Sequence, residues 1–203
     1  IIRGLVGSEM CIRDSLGFRG PVPHRGLRME NELLASLQGS KPNRQRLEAL
    51  IAELEASADI DLAVEHQQEQ LEGVWELRWS SSNQPYLQVQ PWLENLQVLM
   101  PSQGRGMNLL RLPPPLAAAG VAVEAELQIE PPQRVQVCFR RGGLLGPQLG
   151  SWRAKLLTRI QQSFPAWLDI TALSDELRIC RGQNGTLFAL CKRHDLEAKT
   201  LMP

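Results

Sequence analysis

Trp167-Leu168-Asp169-Ile170-Thr171-Ala172-Leu173-Ser174-Asp175-Glu176-Leu177-Arg178-Ile179-Cys180-Arg181-Gly182-Gln183-Asn184-Gly185-Thr186-Leu187-Phe188-Ala189-Leu190 decides the fold. It is an extended lead-in, a strand, a Gly-containing turn and a return strand, the pattern of an antiparallel hairpin. A turn of two or four residues puts Leu177, Ile179, Phe188 and Leu190 on one face. Arg178, Cys180, Leu187, Ala189 and Cys191 then share the other. The first set faces either a ligand cavity or a filled core.

Working back from this hairpin, the same period of two recurs. Val121, Val123, Ala125, Leu127 and Ile129 alternate with Glu124, Glu126 and Gln128. Pro131-Pro132 forces a turn, because proline cannot donate to a ladder. Val135, Val137 and Phe139 then alternate with Arg134, Gln136, Cys138 and Arg140, which predicts a second hairpin. Trp75, Leu77 and Trp79 alternate with Glu76 and Arg78, a half-buried strand. Further strands are expected around Leu87–Val89, Leu96–Met100 and Met107–Leu112, with Pro85, Pro91, Pro101 and Pro113-Pro114-Pro115 as breaks. Gly142 to Gly150 reads as a flexible loop carrying Leu144 and Leu145, which either touch a membrane, cover a barrel mouth or pack beneath it. Ser151 to Ser163 is ambiguous, with Leu156, Leu157 and Ile160 spaced for a short helix.

Two helices are expected upstream. Glu32–Leu37 is short and stopped by Gly39. Asn43–Ala56 places Leu47, Leu50, Ile51 and Leu54 at i, i+3, i+4 and i+7, one apolar stripe, with Ser40 or Asn43 as cap. That stripe must lie on the end or flank of the sheet. Ser57–Gln70 reads as a connection and His194–Pro203 as a frayed tail.

The fold class predicted is mainly β with N-terminal helices (α+β): an antiparallel β-barrel with the helices packed at one end. Seven or eight short strands with one apolar face imply a sandwich or barrel. About eight strands enclose enough room for one small ligand or are filled by side chains. The domain is expected to span 29–193, with helices in 30–56 and the barrel in 71–193, followed by the tail 194–203. Residues 1–28 are set aside as a leader. Their first part resembles a translated sequencing-adaptor read, and Arg3, Glu9, Arg13 and Asp14 interrupt any secretory h-region.

Composition excludes several function classes. The chain has 203 residues, with 22 Lys+Arg against 22 Asp+Glu. Such balance gives no electrostatic basis for nucleic-acid binding or for a polybasic membrane patch. No apolar run approaches the ~18 residues that span a bilayer. Cys11, Cys138, Cys180 and Cys191 form no Cys-x-x-Cys pair, and His24, His66 and His194 are far apart, which argues against zinc. A Cys180–Cys191 disulfide requires a short Cα spacing. Ser80, Ser81 and Ser82 lack a nucleophile elbow, and no phosphate-binding Gly loop precedes a helix. No enzyme is predicted.

Four segments resemble, in order, the plastid lipid-associated proteins, or fibrillins. These are Leu50-Ile51-Ala52-Glu53-Leu54-Glu55, then Leu71-Glu72-Gly73-Val74-Trp75-Glu76-Leu77-Arg78-Trp79-Ser80-Ser81-Ser82, then Pro132-Gln133-Arg134-Val135-Gln136-Val137-Cys138-Phe139, and the hairpin quoted first. The likeness extends over roughly Leu33 to Arg193. Trp79 stands where the family has Tyr, and Ala172 where it often has an aromatic. Gly73-Val74-Trp75 is also the lipocalin-type Gly-x-Trp, in which glycine lets the chain enter tightly and the indole plugs one end.

The resemblance implies a lipocalin-like barrel whose apolar calyx binds a small hydrophobic molecule: a quinone, a carotenoid or an acyl lipid. It implies no other cofactor. It also implies peripheral contact with a photosynthetic membrane or lipid globule, on the cytoplasmic side of the thylakoid in a cyanobacterial-type member. The expected ligand-binding residues are Trp75, Leu77, Trp79, Val123, Val137, Phe139, Asp169, Arg178, Ile179 and Phe188. Asp169 either holds a polar head group with Arg178 or Arg181, or caps a turn. The alternative is a solid barrel that docks on thylakoid membrane proteins or lipid globules.

Overall fold

The protein is described here by a computed structural model covering residues 23–39, 43–84, 89–90, 92–113, 120–149, 152–161 and 166–202. The adaptor-like stretch, Pro85, Leu87, Pro91 and Pro114-Pro115 lie outside the described residues.

Nine strands follow three helices: β1 (Gly73–Ser80), β2 (Glu94–Met100), β3 (Arg105–Arg111), β4 (Gly120–Glu130), β5 (Arg134–Leu149), β6 (Trp152–Arg159), β7 (Ala166–Leu173), β8 (Leu177–Gly182) and β9 (Leu187–Lys192). Every pairing is antiparallel. The sheet runs β4-β3-β2-β1-β9-β8-β7-β5-β6, and a further β4–β5 pairing closes it. Eight strands therefore form a barrel. The long β5 serves two neighbours in turn: Arg134–Val137 pair with β7, and Arg141–Leu149 pair with β6. The barrel is closed along the first half of β5, and beyond it β4, β5 and β6 extend as an open apron.

Sequence alternation fixes β4 and the start of β5 as expected. Leu127 faces Val137 and Ile129 faces Val135 across the ladder. The region read as a flexible loop, Gly142–Gly150, is strand through Leu149. Gly143 (φ +158) lets the backbone pass a neighbouring strand that any Cβ would strike, 2.0 Å from the Leu156 carbonyl oxygen. Within the ambiguous Ser151–Ser163 segment, Trp152–Arg159 is β6 rather than a helix, because β5 offers it a ladder partner.

The helices are α1 (Pro23–Gln38), α2 (Arg44–Ser57) and α3 (Glu65–Leu71). α1 begins nine residues before the predicted Glu32, inside the stretch set aside as leader. Met29, Leu33 and Leu37, spaced by four, give it a buried stripe against α2. Asn43 caps α2, accepting from the Arg46 N–H at 3.2 Å. Leu47, Leu50, Ile51 and Leu54 are buried, as the pattern predicts. This helix pair covers the outer flank of the barrel, over Trp79, Ala172, Leu177, Ile179 and Ala189.

The expected connection 57–70 contains α3, which closes one end of the barrel with Ile60, Leu62 and Leu71. The Leu62 N–H donates to the Pro132 carbonyl at 2.7 Å, tying this plug to the β4–β5 turn. The tail is not frayed: α4 (Ala198–Leu201) buries Leu201 and Met202 on the outer face of β1–β3. Those strands carry Val74, Leu96, Val98, Met107 and Leu109 outward, and this surface needs a cover.

Candidate functional site

Register decides what faces the inside. The turn Gln183–Gly185 between β8 and β9 has three residues, and the Gly182 N–H donates to the Thr186 carbonyl at 2.8 Å. Gly185 has φ +71, the left-handed conformation common in three-residue hairpin loops. An odd loop reverses the parity expected for an even one. Cys180 pairs with Phe188 and Arg178 with Leu190. Phe188, Leu190, Cys180 and Arg178 therefore point inward, while Leu177, Ile179, Leu187, Ala189 and Cys191 point outward. Cys180 and Cys191 lie on opposite sides of the sheet and are both free thiols.

Of the predicted ligand-binding residues, Trp75, Leu77, Val123, Val137, Phe139, Arg178 and Phe188 lie on the inward rows. Three do not. Ile179 is wholly buried, but under α1 and α2 outside the barrel. Trp79 is turned outward by a β-bulge at Arg78, since Leu77 pairs with Leu190 and Trp79 with Ala189. Asp169 sits on the outer face of β7. There it accepts from Arg134 Nε at 2.7 Å and Nη2 at 2.9 Å, and Arg134 stacks 4.1 Å from the Trp167 ring. Neither Arg178 nor Arg181 is its partner. Arg181 is across the ladder from it but donates to Glu55 of α2, its Nε at 2.8 Å.

Inside the barrel lies a cavity of about 160 Å³. Leu99, Ala125, Leu127, Val137, Phe139 and Leu168 form most of its wall, with Gln97 and Asn108 as its polar groups. Gln97 and Asn108 were not anticipated. Flanked by apolar Leu96 and Val98, Gln97 has the pattern of a solvent-facing residue. The outward face of β2 is the buried one and its inward face is only half-buried, so the binary pattern points to the wrong side as interior. Beyond the cavity the inward rows continue onto the apron. There Val121, Leu144 and Leu156 are adjacent across β4–β5–β6 and are 47%, 58% and 69% exposed. Leu145, their neighbour in the Gly-rich segment, is buried on the opposite face.

Trp75 anchors the closed end. Its indole N–H donates to the Leu71 carbonyl at 2.9 Å, and its side chain is wholly buried. Gly73 enters β1 at φ +133, and a Cβ there would meet Lys192 Cε at 2.9 Å. Lys192 crosses that spot to donate to the Gln70 carbonyl at 2.9 Å, with its Nζ 5.1 Å from the Trp75 ring centre. Burial lowers the Lys192 pKa, opposed mainly by Asp175 and Glu176.

Arg178 is the other buried cation. It is 0% exposed and its guanidinium lies 5.1 Å from the Trp75 ring centre. Nη2 donates to Gln97 Oε1. Nε and Nη1 have no hydrogen-bond partner. Burial pushes its pKa below the usual guanidinium range, and the neighbouring Cys180 opposes that shift. The Cys180 thiol is in turn pushed up by burial.

A larger groove of about 710 Å³ lies outside, between the α1–α2 turn and the β1–β2 end. Its Glu76, Arg78 and Glu94 belong to an ion-pair network. Arg193 bridges Glu76 and Glu94 at 3.1 Å each, and Arg111 Nε reaches Glu94 at 2.6 Å. Its charged wall is satisfied from within the chain, unlike the interior. Among the described residues no cluster of His, Cys, Asp or Glu is placed to hold a metal ion. No described helix is long and apolar enough to cross a membrane.

The family model PAP_fibrillin matches residues 30–165. No curated protein matches the chain. Among solved structures, a streptavidin-like protein from Bacteroides eggerthii DSM 20697 is similar at a TM-score of 0.37 and 12% identity, over 52% of this chain and 68% of that one.

Proposed function

The chain belongs to the PAP_fibrillin family, a lipid-associated family, and from that premise we propose that it is a non-enzymatic carrier of a slim hydrophobic molecule at the surface of a photosynthetic membrane. The observation that carries this reading is the apolar interior cavity of a closed barrel, continuous in strand register with an exposed apolar lip. A soluble domain seldom leaves three large apolar side chains side by side without a use for them. Val121, Leu144 and Leu156 would rest among lipid tails while the guest passes between membrane and barrel. Each methylene taken from water would contribute about 0.8 kcal/mol.

Size narrows the guest. Pockets for drug-sized ligands usually have ~300–1,000 Å³, and this one has about 160 Å³. An extended acyl chain suits it better than a bulky ring. The same small volume favours a second reading, in which the barrel is a solid docking module. Native mass spectrometry of protein purified from its own host separates the two. A bound lipid mass is expected. A ligand-free mass, with no uptake of acyl lipid, quinone or carotenoid by the stripped protein, would leave the docking module.

A further inference from the structure

We infer that the guest carries an anionic head group of the carboxylate type, and that Arg178, held directly behind the cavity-lining Gln97, receives it; this rests on the carrier reading above. A wholly buried guanidinium ordinarily comes with acceptors for its protons, because a buried charge without them is strongly disfavoured. Arg178 has one oxygen acceptor from the protein, Gln97 Oε1, and beside it only the Cys180 thiol, a weak acceptor. The N–H on Nε and the two on Nη1 meet none.

The rest of the interior does not neutralise it. Among the described residues, the inward rows of the eight barrel strands carry no Asp or Glu. The carboxylates of β1, β2, β4 and β7 all face outward, where Glu76, Glu94, Glu124 and Asp169 are ion-paired. Among the described residues of those rows, the other charge is Lys192, which is positive too and is held by the Gln70 carbonyl and Trp75. The barrel thus has a positive interior with unused donors on Arg178, while its outward carboxylates are already paired with arginines. A monoanion of the ligand supplies the missing charge and the missing acceptor oxygens together.

Gln97 connects this group to the cavity. Its side chain lines the space and its Oε1 holds Nη2 of Arg178. A chain lying between Leu99, Leu127 and Phe139 would bring its terminal carboxylate to Gln97 first and to Arg178 next. The indole of Trp75 backs the guanidinium from the far side. A single guanidinium matches a single negative charge, as on a long-chain fatty acid.

The test compares hexadecanoic acid with its methyl ester on the full chain stripped of lipid, by titration calorimetry. The two share a tail and differ in charge. The acid is expected to bind at least about tenfold more tightly, the factor that a charge-assisted hydrogen bond supplies. Arg178→Met is expected to bring the acid down to the ester's affinity. Equal affinities for acid and ester in the unaltered protein would overturn the head-group assignment while leaving the carrier reading in place. Binding of neither would overturn the acyl guest and this inference with it, and uptake of quinone and carotenoid would then decide the carrier reading. The acid–ester comparison needs no variant, so a poorly folding Arg178→Met leaves the test intact.

Discussion

Replacing Arg178 by methionine should make the ligand-free protein more stable, against the usual outcome for a core substitution. Arg178 is fully buried, with two guanidinium nitrogens lacking partners. Each unsatisfied buried polar group costs about 1–3 kcal/mol, and the charge adds its own desolvation. Set against this are one hydrogen bond to Gln97, worth about 1.5–3 kcal/mol, and the Trp75 contact at 5.1 Å, worth about 0.5–2 kcal/mol. Methionine keeps the length of the side chain and removes the charge. Exchanges of buried ionic groups for apolar residues of similar volume are often neutral or stabilising by about 1–4 kcal/mol. A gain of roughly 1–3 kcal/mol corresponds to about 2–12 °C in Tm for a domain of this size. The assay is thermal unfolding of lipid-stripped protein, followed by circular dichroism at neutral pH. With excess hexadecanoic acid the order should reverse, because only the unaltered protein gains the full stabilisation of bound anion. A fall in Tm of the stripped variant would refute the reasoning. It would mean that the folded protein already satisfies the guanidinium without a guest.

Leu33→Ala should cost about 2–5 kcal/mol in urea unfolding, since Leu33 is wholly buried in the cluster that joins α1 and α2 to the barrel flank. Asp169→Asn should leave ligand affinity unchanged and move Tm only slightly, because its pair with Arg134 lies on the barrel exterior and is partly solvated. A thiol reagent at pH 8 should label Cys138 before Cys180 and Cys191, read peptide by peptide in a mass spectrometer. Cys138 is exposed and Cys180 buried, while burial pushes the Cys191 thiol up to about 11. Asp195 beside Arg193 is held down to about 2. Its contribution is therefore complete above the ordinary carboxylate pKa and is lost as pH falls through about 2. Asp195→Asn should flatten that acid limb of the stability curve, by a small amount because the group is largely exposed.

The apolar stripe of α2, the alternation of β4 and early β5, and the Gly73-Val74-Trp75 start of β1 were all legible in the chain. Each is a local pattern whose period alone names the element and its apolar face. The limits are equally specific. α1 was predicted too short because its stripe, Met29-Leu33-Leu37, begins before the expected start. α4 and its buried Leu201 and Met202 went unseen because the surface they cover is assembled from β1, β2 and β3, far away in sequence.

The candidate site was legible only in part. Seven of the ten expected residues lie on the inward rows, of which Val137 and Phe139 line the cavity, and Trp79, Asp169 and Ile179 face outward. Each miss traces to strand register: a bulge at Arg78, a three-residue turn at Gln183–Gly185, and a strand whose Asp has an exterior Arg beside it. With a side-chain period of two, one extra residue sends everything after it to the other face.

What the sequence determined by itself is the existence of antiparallel strands enough for a sandwich or a barrel, a Gly-x-Trp strand start and an apolar helix pair seeking an end or flank, because propensity and periodicity act over a few neighbouring residues; the resemblance added the barrel. What only the tertiary structure decided is which face of each strand looks inward, and with it the placing of a lone guanidinium among apolar walls. Bulges and loop parity set that choice, and both depend on partners that the linear chain does not bring side by side.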